Sequence, residues 1–71
     1  MNINDKENFF DLARYRELIL HNLTGAHQCP VELAERLLMK YEDEVQAMHK
    51  AEIPAISPSN LLYSAWKVLG I

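Results

Sequence analysis

The sequence predicts an all-α fold, a small bundle of three helices, on three observations. Apolar residues recur at helical spacing through residues 30–50, where Val31, Ala34, Leu38, Tyr41, Val45 and Met48 are separated by 3, 4, 3, 4 and 3 positions. That repeat keeps one stripe of a helix turned toward a partner. Helix-ending and helix-starting residues punctuate the chain at Gly25, Pro30, Pro54, Ser57-Pro58 and Gly70. No stretch alternates apolar and polar residues as a half-buried strand would.

The first helix is expected over residues 4–23. Asn4 stands three residues before Glu7, the spacing of a capping box, and Asp5 is an equally good cap. Phe9, Leu12, Ala13, Ile19, Leu20 and Leu23 then share one side. Arg16 falls within that side, so its aliphatic stem is expected to lie on apolar surface with the guanidinium in water. Gly25 is placed to stop the helix in a left-handed conformation.

The connector GAHQC (residues 25–29) is short enough to make the first two helices antiparallel. Pro30 suits the first position of a second helix, because the amide it lacks would have no intrahelical partner there. This helix is expected to run unbroken to about residue 51. Leu33 and Leu37 widen its apolar stripe, while Glu32, Glu35, Arg36, Lys40, Glu42, Asp43, Gln46 and Lys50 make the opposite face fit for water. Pro54 then forbids further helix and biases Ile53 to an extended form. Ile53 and Ile56 are expected to close the core across the helix ends. Ser57 is read as the cap and Pro58 as the first residue of a third helix, 58–69, packed across the other two. Its inner face is expected to carry Leu61, Leu62, Ala65, Val68 and Leu69, with Trp66 alongside and Gly70 as terminator.

At 71 residues the chain makes a single helical domain, 1–71, with a thin core. Chains of this size commonly gain stability from a metal, disulfides or a partner subunit. One cysteine, Cys29, rules out a disulfide within the chain and fits a reducing, cytoplasmic setting. No apolar run approaches the roughly 18 residues of a membrane span. The opening MNINDKENFF is polar and acidic, and no signal peptide is read there. The net charge is −3, from seven Lys and Arg against ten Asp and Glu. Nucleic-acid binding is disfavoured, since such proteins present a basic face to phosphates.

Four features bear on chemistry. Cys29 stands at the cap of the second helix with His27 two residues away, a setting that can favour a thiolate and suit a redox sensor. The structural alternative is a small buried hydrophobe, and it is favoured because two or three short helices enclose no pocket. His21, His27, Cys29 and His49 are the soft-metal ligands, but the second helix sets His49 about 30 Å from Cys29 by the helical rise. No standard zinc spacing is present. Glu42, Asp43 and Glu44 point in three directions from a helix, so they form a solvated face rather than a catalytic carboxylate pair. Finally, VELAERLL (31–38) and ISPSNLLYSAWKVLG (56–70) have the flavour of a helix-turn-helix. The expected run of the second helix straight through residue 40 separates them too far, and the second segment has no arginine.

Surplus apolar residues remain: Met39 lies on the polar side of the second helix, Phe10, Tyr15 and Tyr63 sit at the margins of their stripes, and Trp66 is a further large residue on a short helix. The functional expectation is a non-enzymatic, cytoplasmic protein-binding module without cofactor, contacting another protein or a second copy of itself. Tyr15, Met39, Tyr63 and Trp66 would form the contact and Glu42 and Asp43 its polar rim. The alternatives are a dimeric helical DNA-binding regulator reading through the third helix, and a redox or metal sensor centred on Cys29.

Overall fold

A computed structural model describes residues 11–70. The expectations for Asn4, Asp5, Glu7, Phe9 and Phe10 lie outside them. The described residues form an all-α domain of four helices without strands: α1 (Leu12–Gly25), α2 (Val31–Lys40), α3 (Glu42–Lys50) and α4 (Ile56–Leu69). The expected count of three is corrected because the long second helix is divided at Tyr41.

The start of α1 also moves. Asp11 is extended (φ −67°, ψ 125°), and its carboxylate accepts the Ala13 N–H at 3.2 Å. The cap therefore sits at Asp11, and no helix runs unbroken from residue 4. At the other end Gly25 is the last helical residue rather than the stop. The left-handed step falls to Gln28 (φ 54°), and the Cys29 N–H returns to the Leu23 carbonyl at 2.8 Å. This tight loop joins α1 to α2, and the two helices pack against each other.

No glycine or proline accounts for the division of the second helix. Tyr41 takes φ −109° and ψ 31°, in the sparsely populated bridge region. Its N–H still reaches the Leu37 carbonyl, and its own carbonyl takes the Val45 N–H, both at 3.0 Å. The charges around it favour two termini. Lys40 closes α2, while Glu42, Asp43 and Glu44 fill the first turn of α3. Cations at a helix C-terminus and anions at an N-terminus are each worth about 0.3–1 kcal/mol. Arg16 of α1 reaches Glu42 at 3.6 Å, its side chain two-thirds covered as its snorkelling role requires. The bend lets both α2 and α3 rest on α1.

α3 ends in a Schellman turn. Ile53 N–H bonds to the Met48 carbonyl and Glu52 N–H to the His49 carbonyl, each at 3.0 Å, with Glu52 left-handed at φ 61°. α4 then begins earlier than expected, after Ala55, with no side-chain cap. Ser57 and Pro58 are its second and third residues. Pro58 is tolerated there because amides of the first turn lack intrahelical acceptors.

The core gathers Tyr15, Ile19 and Leu23 of α1, Ala34, Leu37 and Leu38 of α2, Val45 of α3, Leu62 of α4, and the connector residues Cys29 and Ala55. Three expectations are revised. Tyr15, read as marginal, is fully buried, and its hydroxyl donates to the Ile53 carbonyl at 2.6 Å. Ala13, read as inward, is exposed. On α4 the buried side is Pro58, Ser59 and Leu62, so Leu61 and Val68 face out, while Leu69, in line with Leu62 two turns on, is exposed at the end of the helix. Ser59 on that side ties α4 to α1, its hydroxyl accepting from Asn22 Nδ2 at 3.1 Å while donating to the Ala55 carbonyl one turn back at 2.7 Å. Both bonds satisfy a buried hydroxyl that would otherwise carry a desolvation penalty. Ile53 is half-buried as expected, but Ala55 rather than Ile56 closes the core beside it. Among the described residues no helix is long and apolar enough to cross a membrane.

Candidate partner-binding surface

Helix α4 carries no carboxylate and a single cation, Lys67. Its outer side leaves Leu61 and Val68 exposed at 39% and 79% of their surface, and Ile56 and Leu69 are exposed at its two ends, at 50% and 72%. Scattered single apolar residues on a surface are ordinary. Four of them on one 14-residue helix concentrate exposed apolar surface there.

One flank of this helix is an aromatic cluster. The His27 ring, brought in by the α1–α2 loop, stacks on Tyr63 with centroids 4.0 Å apart and planes 12° apart. His27 Nε2 lies 3.2 Å from Asn60 Oδ1 and donates to it when that nitrogen carries the proton. Trp66 meets Tyr63 edge-on, with centroids at 6.0 Å and an interplanar angle of 73°. Lys67 folds its ammonium over both rings, 4.6 Å from the Trp66 centroid and 5.7 Å from that of Tyr63. Both distances suit cation–π attraction, worth about 0.5–1 kcal/mol at exposed sites. The spacing 60, 63, 66, 67 places these groups on neighbouring turns of one helix. The three rings are thus half-buried, packed on one another and charged at their edge.

The structure brings together two of the six residues singled out by sequence, Tyr63 and Trp66. Tyr15 is removed from the surface by its burial. Met39 is 70% exposed on α2, with Glu42 and Asp43 exposed at the start of α3. No hydrogen bond, ion pair or ring contact among the described residues joins these three to the aromatic cluster. Glu42 instead serves Arg16 and accepts from Gln46 Nε2 at 2.9 Å. Sequence reasoning missed His27, Leu61 and Val68 as surface residues. The signal for Leu61 and Val68 was available: with Ser57 and Ser64 they are spaced 4, 3 and 4 along the chain.

Cys29 is buried and free, at 3% exposure. Burial pushes its thiol above the ordinary value, and the Lys67 charge only partly opposes this. A raised thiol is the reverse of what a reactive cysteine requires. Among the described residues no three His, Cys, Asp or Glu side chains are gathered so as to hold a metal ion. His49 lies against the Tyr15 ring at 5.1 Å, and its Nε2 is buried without a hydrogen-bond partner among the described residues.

The division at Tyr41 does not rescue the helix-turn-helix comparison. Segments 31–38 and 56–70 lie in α2 and α4, and the whole of α3 stands between them. The outer side of α4 offers Ser57, Asn60, Ser64 and one lysine to a groove. The chain matches no known protein family, no curated protein and no solved structure at a significant level.

Proposed function

We propose that the protein is a non-enzymatic protein-binding module that uses the outer side of α4 as its contact surface. The observation that carries this reading is the exposure of Leu61 and Val68 beside the Tyr63–Trp66–Lys67 cluster. Interfaces favour this composition: aromatic anchors of low conformational entropy, an apolar centre and few charges. Half-buried rings already packed on one another also lose little further freedom on binding.

Met39 on α2 and Glu42 and Asp43 at the start of α3 are exposed but make no hydrogen bond, ion pair or ring contact with α4 among the described residues. A reducing, cytoplasmic setting belongs to the same reading and is supported by the single cysteine.

Site-specific photo-crosslinking tests the reading. A benzophenone side chain is placed at Val68 in the full chain, with a control at the exposed Glu17 of α1. Irradiation in the native host should give a discrete protein adduct from position 68 and none from position 17. Equal or absent labelling at the two positions would remove α4 as the contact surface.

A further inference from the structure

Four exposed residues of α4, Ser57, Leu61, Ser64 and Val68, form a seam along its outer side. At 100° per residue they fall within about 60° of one another. Small and large residues alternate along it, in the order small, large, small, large. Turned end for end about a point midway between Leu61 and Ser64, the seam matches itself. Leu61 then faces Ser64 of the other copy, and Val68 faces its Ser57. Each branched side chain meets a notch, the condition for two helices to approach closely.

Charge favours the same occupant. All ten carboxylates of the chain lie before Ile53, and the whole carries −3. Two such chains repel at most approaches, but the seam contains no carboxylate. Its neighbouring cation, Lys67, is drawn aside over Tyr63 and Trp66. In the antiparallel arrangement the two Lys67 positions stand about 13 Å apart along the helix axes. That exceeds the Debye length of roughly 8 Å at physiological salt, so their repulsion is screened. The N-terminus of each α4 also lies beside the C-terminus of the other, the favourable sense for helix dipoles.

We propose that the occupant of the α4 surface is a second copy of the chain, docked α4 to α4 in antiparallel register with Leu61 at Ser64 and Val68 at Ser57. The inference rests on the reading of α4 as a protein-binding surface and names its partner. The seam spans about 16 Å of helix, which is short of the roughly 800 Å² per subunit of a standard stable interface. The dimer is therefore weak and concentration-dependent, and isologous, so it closes without forming filaments.

The test is disulfide trapping with sedimentation velocity on the full chain. Ser57→Cys and Val68→Cys are made separately, both at exposed positions, with the buried Cys29 left in place. Mixed under mild oxidation, the two variants should form the mixed disulfide about tenfold faster than either forms its own, because register raises the effective concentration of that pair alone. Sedimentation should show a monomer–dimer equilibrium, and Ser64→Glu, which places two carboxylates at the centre of the seam, should weaken it about tenfold or more. A chain that stays monomeric up to millimolar concentration would overturn the dimer. So would equal trapping in all pairings, or unchanged association of Ser64→Glu. Photo-crosslinking at Val68 separates the two failures: an adduct to a different protein alone removes the dimer and leaves the binding module, while no adduct removes both.

Discussion

Replacing Tyr15 with phenylalanine keeps a fully buried ring and deletes one hydroxyl. That hydroxyl donates to the Ile53 carbonyl at 2.6 Å, across 38 positions of sequence. A hydrogen bond of this kind contributes about 0.5–1.5 kcal/mol net, and an acceptor stranded by its loss raises the cost to about 1–3 kcal/mol. Water reaches a partly buried carbonyl, so the expected loss is about 1–2 kcal/mol, from a total of about 4–10 kcal/mol for a chain of this length. Tm should fall by about 4–15 °C. Urea unfolding followed by circular dichroism at pH 7 measures it.

The same variant carries a pH signature. Burial pushes the Tyr15 phenol above its ordinary value of 10.0. The folded chain then retains a proton that the unfolded chain releases, so the contribution is complete below pH 10 and is lost as pH rises toward the folded value. Tyr15→Phe lacks that loss. The stability gap between the two proteins should narrow above pH 10, while Cys29, raised from 9.0 by burial, adds its own alkaline loss to both. A change under about 0.3 kcal/mol at pH 7 with parallel pH curves would refute the placement of Tyr15 as the pin between α1 and the α3–α4 connector.

Three further outcomes are expected. Glu52→Gly should stabilise the chain by about 1 kcal/mol in urea titration, because a left-handed non-glycine residue at the end of α3 is strained and glycine is not; no gain would mean the Schellman turn is misplaced. Cys29 should react with an aromatic disulfide reagent only as fast as the domain opens, so urea should accelerate the reaction steeply; immediate stoichiometric labelling in buffer would restore the redox-sensor reading. Replacing Glu42, Asp43 and Glu44 with their amides should destabilise α3 by about 0.3–1 kcal/mol per charge at low ionic strength, and less in salt; insensitivity to salt would show that the charges do not set the division at Tyr41.

Much of the helical content was legible because apolar spacing reports which residues share a stripe. Ala34, Leu37, Leu38 and Val45 were read inward and are buried, and Gly70 ends α4 at φ 72° as its freedom suggests. The errors came where spacing is silent. Periodicity runs smoothly through Tyr41, so it concealed the break, whereas the sign change from Lys40 to Glu42 marked it. Apolar residues occur all around α4, and composition alone could not choose which side turns in. The hydroxyl of Ser59, bonded to Ala55 and Asn22, lies on the side that does. Tyr15 was misjudged for a related reason: a phenol is buried readily only when a carbonyl awaits it, and that carbonyl belongs to a residue distant in sequence. The aromatic cluster was half visible, through Tyr63 and Trp66, but His27 joins it only because the α1–α2 loop folds back.

The bonds that lock α1 have a consequence for how the domain is made. Tyr15 is held from Ile53 and Asn22 from Ser59, both contributed by the last third of the chain. A nascent chain ending at Lys50 would present Ile19 and Leu23 without the Leu62 side of their core and would leave Tyr15 unpinned. No earlier portion closes on its own, so folding waits for α4 to clear the ribosome and then proceeds in one cooperative step.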